Sequence, residues 1–255
     1  MSGSHALELT GIACDPRCAV RALDPRAKIA GLLGVTLVGV STPLTAWPVY
    51  LACLAVLAGY GAAARVPPRA LWRRWRLVLP VILLAAALLP FMRPGGAAHA
   101  LGPLTVHDEG LRVLGAAAAK ATIGTLSAVL LGATTTFPEV LRGLQAMGVP
   151  RLLILIAAFM YRYLFVIVEE VGRMRAAVAA RGFGPRTALG AGAAGRIAAA
   201  LFLRTHARGE RVYLAMLARG YRGTMPDGVA LRLTRADVAF VALVLVALLP
   251  LRLAA

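Results

Sequence analysis

The chain has 255 residues, of which 60% are hydrophobic and 15% are charged, and its formal net charge is +17. Soluble globular domains average about 45–50% apolar and about 25% charged residues, so this composition excludes an ordinary soluble domain and indicates an integral membrane protein. The positive charge comes from 26 arginines and two lysines that mostly flank apolar runs, as the positive-inside rule describes, so we expect no nucleic-acid binding.

The N-terminal residues 1–26 are polar and lack the apolar stretch of a cleavable signal peptide. Cys14 and Cys18, together with His5, form only a weak metal-ligand pattern, and free thiols are the favoured interpretation. Cys53 lies inside an apolar run, where we predict that it packs against its neighbours.

Apolar runs follow one another along the chain, and several approach or exceed the roughly 17–25 residues that cross a bilayer as a helix. They are Ala27–Thr42, Leu44–Ala64, Leu77–Met92, Leu111–Thr134, Leu152–Val168, Thr187–Leu203 and Ala236–Leu251. The pattern predicts an all-α, polytopic membrane protein.

The charged residues between these runs predict the orientation of the chain. Five arginines and no acid follow the second run, between Arg65 and Arg76, so this connection is predicted to be cytoplasmic. The loop Arg93–Gly110 carries the acidic pair Asp108-Glu109 and one arginine, which suits the outer face. The N-terminus is therefore predicted to lie in the cytoplasm.

The segment from Arg173 to Arg235 contains twelve arginines and two acids, so it is predicted to be cytoplasmic throughout. Arg162 and Arg196 lie in the middle of two apolar runs, where an arginine at bilayer depth costs roughly 2.5–3.5 kcal/mol. We therefore interpret Leu152–Val168 and Thr187–Leu203 as helices at the cytoplasmic interface or buried in protein. The positive-inside rule then predicts about five transmembrane helices, the first four in residues 1–135 and the last in 236–255, with a cytoplasmic region of coupling helices, 136–235, between them.

Two local features precede that region. The fourth run has a surface of glycines and alanines on which another helix can approach closely, and Lys120 within it is predicted to reach an interface or pair inside the bundle. Pro138 and Pro150 bracket a short helix, Glu139–Met147, with an acid in its first turn and Gly148 after its end.

A twelve-residue phrase occurs twice, 38 positions apart: Gly172–Phe183 aligns without a gap on Glu210–Tyr221. Arg173, Ala177, Ala180, Arg181 and Gly182 are matched by Arg211, Ala215, Ala218, Arg219 and Gly220. Helix-forming residues run into Arg-Gly each time, which predicts a helix end capped by glycine. Two similar helix ends exposed to the cytoplasm suggest a paired soluble partner.

The arginines near the second copy follow helical spacing. Arg204, Arg208, Arg211 and Arg219 are predicted to lie along one face, and Glu169 stands four positions before Arg173 in the favourable order for an ion pair. An arginine stripe suits forked contacts with carboxylates, but a solvated cytoplasmic face gives the same pattern. The repetition favours docking.

Several of these segments together resemble the T component of energy-coupling-factor (ECF) transporters. They are Leu23-Asp-Pro-Arg-Ala-Lys-Ile29, Thr134-Thr-Thr-Phe-Pro-Glu-Val-Leu141, Met160-Tyr-Arg-Tyr-Leu164 and the two Ala-Arg-Gly motifs. Arg208-Gly-Glu-Arg-Val-Tyr213 is most similar to the cobalt-type branch, CbiQ. The resemblance covers about residues 5–225.

The resemblance implies a non-catalytic coupling subunit without a cofactor, in the bacterial inner (plasma) membrane. Ala180-Arg181-Gly182 and Ala218-Arg219-Gly220 would each bind one ATP-binding cassette ATPase, supported by Arg173, Arg208 and Arg211. A separate membrane S component would hold the metal, cobalt or nickel, in such a complex. This fits the sequence, whose apolar runs hold no cluster of His, Asp and Glu.

An intramembrane enzyme is the alternative from another class. Glu169-Glu-Val-Gly-Arg173 is similar to the Glu-Glu-x-x-x-Arg motif of CAAX-type proteases, but its arginine comes one residue early. One residue is a rotation of about 100° around a helix, so this arginine would face another direction. The chain has no Walker-type glycine loop for ATP and no polar stripe along its runs for a self-sufficient channel.

Overall fold

The computed structural model describes residues 19–43, 45–82, 84, 98–101, 104–182, 188–223 and 233–253. Two compact units emerge from the packing, one formed by Met1–Met147 with Leu231–Ala255 and the other by Gly148–Ala230. The described residues are predominantly helical, which confirms the all-α class. The predicted boundaries at 135 and 235 stay a prediction.

Proline begins most of the six helices of the first unit that have described bounds. They are α1 (Pro25–Ser41), α2 (Trp47–Ala63), α3 (Pro68–Trp75), α4 (Asp108–Thr134), α5 (Phe137–Ala146) and α8 (Arg235–Leu253), after a 3-10 turn at Ala19–Ala22. Proline stands in the first two positions of α1, α2, α3 and α5. Its fixed φ and missing N–H suit the first turn of a helix, where that N–H has no partner.

Helix α1 is the centre of the first unit, because it packs against α2, α4, α5 and α8. Small residues permit these contacts: a Cβ at Gly31 would lie 2.5 Å from the ring of Phe240 in α8, and one at Gly39 would lie 3.2 Å from Ile123 in α4. The core between the helices includes Tyr50 and Leu57, each 1% exposed. Cys53 is buried among them, which confirms its predicted packing role.

Lys120 of α4 donates a hydrogen bond of 2.8 Å from Nζ to the carbonyl oxygen of Val40, in the last turn of α1. A cation at this position also interacts favourably with the negative end of the helix dipole. Of the two alternatives predicted for Lys120, an interface or a partner in the bundle, the structure shows a partner on α1 through an exposed hydrogen bond, and the choice between them stays a prediction.

The predicted loop Arg93–Gly110 contains a feature that the sequence did not indicate. Strand β1 (Ala98–Leu101) pairs antiparallel with β2 (Leu104–His107), so that Ala98 lies opposite His107. Most of the third apolar run lies outside the described residues, as do Cys14, Cys18 and His5.

The described part of the second unit contains two long helices, α6 (Arg151–Ala180) and α7 (Ala188–Ala218). The apolar runs Leu152–Val168 and Thr187–Leu203 are thus only the first parts of helices that continue through the arginine-rich phrases. By length and composition, two described segments are able to cross a membrane, Arg112–Thr134 and Arg151–Ala180. The interpretation of Leu152–Val168 as a helix that does not span stays a prediction, although its helix is long and apolar enough to do so.

Candidate functional site

The first copy of the repeated phrase forms the end of α6. Arg181 is the C-cap residue of α6. Its backbone N–H donates a hydrogen bond of 3.1 Å to the carbonyl oxygen of Val178. Gly182 then adopts φ +80° and its N–H donates to the carbonyl of Ala179 over 3.0 Å. Only glycine reaches this left-handed conformation without steric strain, so the predicted glycine cap is confirmed here.

The second copy ends α7 in the same way. Gly220 also has φ +80°, and its N–H donates to the carbonyl of Leu217 over 2.9 Å. The N–H of Tyr221 reaches back to the carbonyl of Met216 over 3.0 Å. These two bonds form a Schellman motif, which satisfies carbonyls that the end of a helix leaves without partners.

Each cap presents one arginine at the tip of a helix. Arg181 and Arg219 are both exposed, and within the described part of the chain neither guanidinium makes an ion pair or a hydrogen bond. A Cβ added at Gly182 or Gly220 would meet nothing within 4 Å, so glycine is required for its backbone conformation rather than for space. The aromatic residue after the first copy, Phe183, lies outside the described residues.

The supporting arginines differ between the two copies. Arg173 donates from Nη1 to Glu169 Oε1 over 2.8 Å, the predicted ion pair four residues apart, and it also pairs with Glu170. Arg204 of α7 pairs with the same Glu170, which ties the two helices together. Exposed ion pairs contribute little individually, typically below about 1 kcal/mol, but a shared carboxylate fixes the positions of both arginines.

Arg208 and Arg211 have a different environment from Arg173. Together with Arg204 they line a groove of about 930 Å³ within the second unit, so these three arginines share one face of α7. The opposite wall, from α6, is apolar except for Glu170 and the Tyr163 hydroxyl. The groove was not predictable from the arginine spacing, which shows a common face but not what that face adjoins.

Two of the sequence signatures meet in the first unit. The buried Lys28 donates from Nζ to the carbonyl of Thr134 over 3.3 Å, and the Thr134 hydroxyl lies 3.1 Å from the hydroxyl of Tyr60. The signature around Thr134 continues into a capping box, in which Glu139 accepts from the N–H of Thr136 over 2.8 Å. These segments therefore form one structural cluster rather than separate sites.

The sequence interpretation overlooked Asp237, which is fully buried at the start of α8. One carboxylate oxygen accepts from the N–H of Asp24 over 2.7 Å, and the other accepts from the N–H and hydroxyl of Thr234 over 2.7 and 2.6 Å. A threonine three positions before an acid is typical of a helix start, and this pattern could have drawn attention to Asp237. Its partner at Asp24 could not have been found in that way.

In the described part of the chain, no three or more His, Cys, Asp or Glu side chains lie together as a metal site would require. The paired acids of the protease-like motif, Glu169 and Glu170, are both engaged by Arg173. What the geometry offers is two exposed, arginine-bearing helix ends with matching caps.

The fold and the site together define the class of this protein: it is an all-α membrane protein with two such helix ends. The profile of the CbiQ family, described as cobalt transport protein, matches residues 18–228. The chain therefore belongs to the CbiQ family.

Two similar proteins carry the name of this family, and a third is uncharacterized. A cobalt transport protein CbiQ of Rhodobacter capsulatus is 31% identical over 76% of this chain and 78% of its own length. A putative fused cobalt transport protein CbiMQ of Methanocorpusculum labreanum is 24% identical over 81% of this chain, and an uncharacterized protein of Methanocaldococcus jannaschii is 32% identical over 44%. The chain spans only 35% of the fused protein and 39% of the uncharacterized one.

Proposed function

We propose that the chain is the membrane coupling subunit, or T component, of an ATP-driven ECF transporter for cobalt. One observation carries the proposal: the repeated phrase ends two different helices with the same glycine conformation, φ +80° at Gly182 and at Gly220. Each cap leaves an exposed arginine, Arg181 or Arg219, at the tip. Two equivalent tips suit two copies of a soluble partner.

In the proposed mechanism each tip binds one ATP-binding cassette ATPase. The guanidinium forms a forked, bidentate contact with a carboxylate in a groove of that ATPase. The flanking Ala180 and Ala218 leave room for a close fit, and the capped helix end holds the arginine in place. When ATP closes the ATPase pair, the tips move with it, and α6 and α7 carry the motion to the membrane.

A second membrane partner, the S component, would bind the metal and be reoriented by that motion. The fused relative named CbiMQ supports such a partner, because this chain matches only 35% of its length. Cobalt is favoured as the substrate by the names of the relatives, and the chain would act in the bacterial inner membrane, with its N-terminus in the cytoplasm and several spans. ATP hydrolysis belongs to the partner ATPases, so the chain itself is proposed to be non-catalytic.

The protease-like alternative receives less support. Glu169 and Arg173 are exposed on α6 and Glu170 lines the groove, and both acids form ion pairs, Glu169 with Arg173 and Glu170 with Arg173 and Arg204. A hydrolytic site would need these carboxylates to activate water, whereas here their charge is compensated by guanidinium groups.

The double variant Arg181→Glu/Arg219→Glu tests the docking role. It replaces two attractive contacts by repulsion, and losing one partner of a desolvated pair typically costs about 2–5 kcal/mol. We expect loss of ATPase copurification and of cobalt uptake in membranes that contain equal amounts of each variant. Single variants should retain part of the ATPase through the other tip.

The matched control is Arg175→Glu/Arg196→Glu, which makes the same charge change with one exposed arginine on each helix. It should leave ATPase copurification near the level of the unmodified chain. Normal copurification and uptake in the double tip variant would show that the phrases are helix caps only.

A further inference from the structure

The groove in the second unit has two chemically different walls. The α6 wall presents Ile156, Phe159, Met160, Leu164 and Ile167, whereas the α7 wall presents Arg204, Arg208 and Arg211. Its volume of about 930 Å³ lies at the upper end of the roughly 300–1,000 Å³ typical of sites for small molecules. The occupant that suits it has an apolar body and a negative charge.

The positive charge of the groove is only partly compensated. Glu170, its one lining carboxylate, is shared by Arg173 and Arg204. Arg208 and Arg211 are exposed and make no ion pair among the described residues. Two guanidinium groups therefore remain available to an anion beside the apolar wall.

The length of the apolar wall points to an acyl chain. From Ile156 to Ile167 a helix rises about 16 Å, at about 1.5 Å per residue. The hydrocarbon core of a bilayer is about 30 Å thick, so this wall has the length of one leaflet. Arg204 pairs with Glu170 at the charged end of this wall, and Arg208 and Arg211 follow Arg204 by about one and two helical turns on α7.

We propose that this groove binds an anionic phospholipid, with its acyl chains on the α6 wall and its phosphate between Arg208 and Arg211. The guanidinium forks suit phosphate oxygens, as they suit carboxylates. The binding needs only the membrane location of the chain and is independent of ATPase docking. It also gives Arg208 and Arg211 a role separate from that of the two helix tips.

The test uses the full chain in detergent, titrated with phosphatidylglycerol or with phosphatidylcholine. Bound lipid per chain is measured by mass spectrometry after gel filtration. We expect phosphatidylglycerol to be retained and phosphatidylcholine to be lost. Since a basic residue near a membrane surface changes affinity for anionic lipid about fivefold, Arg208→Gln/Arg211→Gln should weaken retention about 25-fold.

Two further variants separate the contributions. Arg175→Gln/Arg196→Gln removes equal charge outside the groove and should leave retention unchanged. Met160→Asp alters the apolar wall at a residue that is 68% exposed, so the fold is preserved, and it should reduce retention as well. An excess of inorganic phosphate should not displace the lipid, because phosphate lacks the acyl chains.

Three results would overturn the proposal. Equal retention of the two lipids would show that the arginines do not select the negatively charged lipid. Displacement of phosphatidylglycerol by inorganic phosphate would indicate a simple anion site. In the assembled transporter, Met160→Cys could be crosslinked to a partner subunit. If added phosphatidylglycerol did not reduce this crosslink, a protein segment and not a lipid would fill the groove.

Discussion

The backbone N–H of Asp24 donates a hydrogen bond of 2.7 Å to the carboxylate of Asp237, 213 positions further along the chain. Asp24 caps the start of α1 through its own carboxylate, which accepts from the N–H of Arg26 over 2.9 Å. Asp237 lies in the first turn of α8, so the starts of the first and last helices of this unit are joined. The Asp-Pro-Arg segment thus has a structural role in closing the first unit.

Replacing Asp237 should therefore destabilise the first unit. Asp237→Asn turns one acceptor oxygen into an NH₂ group facing an N–H donor, and it removes the negative charge at this buried position. Leaving a buried donor without its acceptor typically costs about 1–3 kcal/mol. Thermal unfolding of the detergent-solubilised chain should show a clear drop in the midpoint temperature.

The control for Asp237 is Asp24→Asn, which makes the same chemical change at the other end of the contact. Asparagine caps helices about as well as aspartate, and the Asp24 backbone N–H that binds Asp237 is retained. Its midpoint should stay close to that of the unmodified chain. A midpoint for Asp237→Asn that also stays near that of the unmodified chain would mean that the Asp237 carboxylate is unimportant for stability.

The close packing of α1 against α8 gives a second prediction. In Gly31→Ala the new Cβ would lie 2.5 Å from the Phe240 ring, and such overpacking typically costs about 1–3 kcal/mol. Gly34→Ala, three residues along the same helix, meets nothing within 4 Å and should be neutral or slightly stabilising. Thermal unfolding compares the two. Adding Phe240→Leu should restore part of the loss in Gly31→Ala, and a failure to do so would contradict the packing explanation.

The helix ends were the part of the structure that the sequence predicted best. Gly148, Gly182 and Gly220 follow helix ends and have φ of +97°, +80° and +80°. The ion pair between Glu169 and Arg173 was predicted equally well. These features depend on residues at most a few positions apart, so their chemistry can be read directly from the chain.

The sequence did not predict the features that depend on packing between distant residues. The contact of Asp24 with Asp237 and the groove between α6 and α7 bring together residues whose spacing carries no signal. Apolar runs also underestimated the length of α6, because arginine and alanine continue a helix as readily as leucine does. The run Leu152–Val168 therefore became part of a helix of 30 residues.

The orientation of the chain in the membrane is a third prediction, tested by labelling single cysteines. The native Cys14, Cys18 and Cys53 are first replaced by alanine. A cysteine at Gly148, Gly184 or Gly223 should then react with an impermeant thiol reagent from the cytoplasmic side, and one at Gly95 should react from outside, as the arginine distribution requires. Labelling at Gly184 from outside only would place the first tip on the wrong face for an ATPase and would contradict the coupling mechanism.

The glycines of the two tips provide the last prediction, which separates the conformation of the cap from the charge of the arginine. Gly220→Ala should force a residue with a Cβ into a conformation that costs about 1–2 kcal/mol, so the end of α7 would unwind or shift and Arg219 would lose its fixed position. We expect reduced ATPase copurification and cobalt uptake, most clearly in the double variant Gly182→Ala/Gly220→Ala. Gly220→Asn should retain more activity, because asparagine adopts the left-handed conformation more readily than alanine does. Gly195→Ala is the control within α7, since a Cβ there meets nothing within 4 Å and glycine has no special conformation at that position. If Gly182→Ala/Gly220→Ala bound the ATPases normally, the matching caps would be incidental to docking, and the arginines alone would have to account for it.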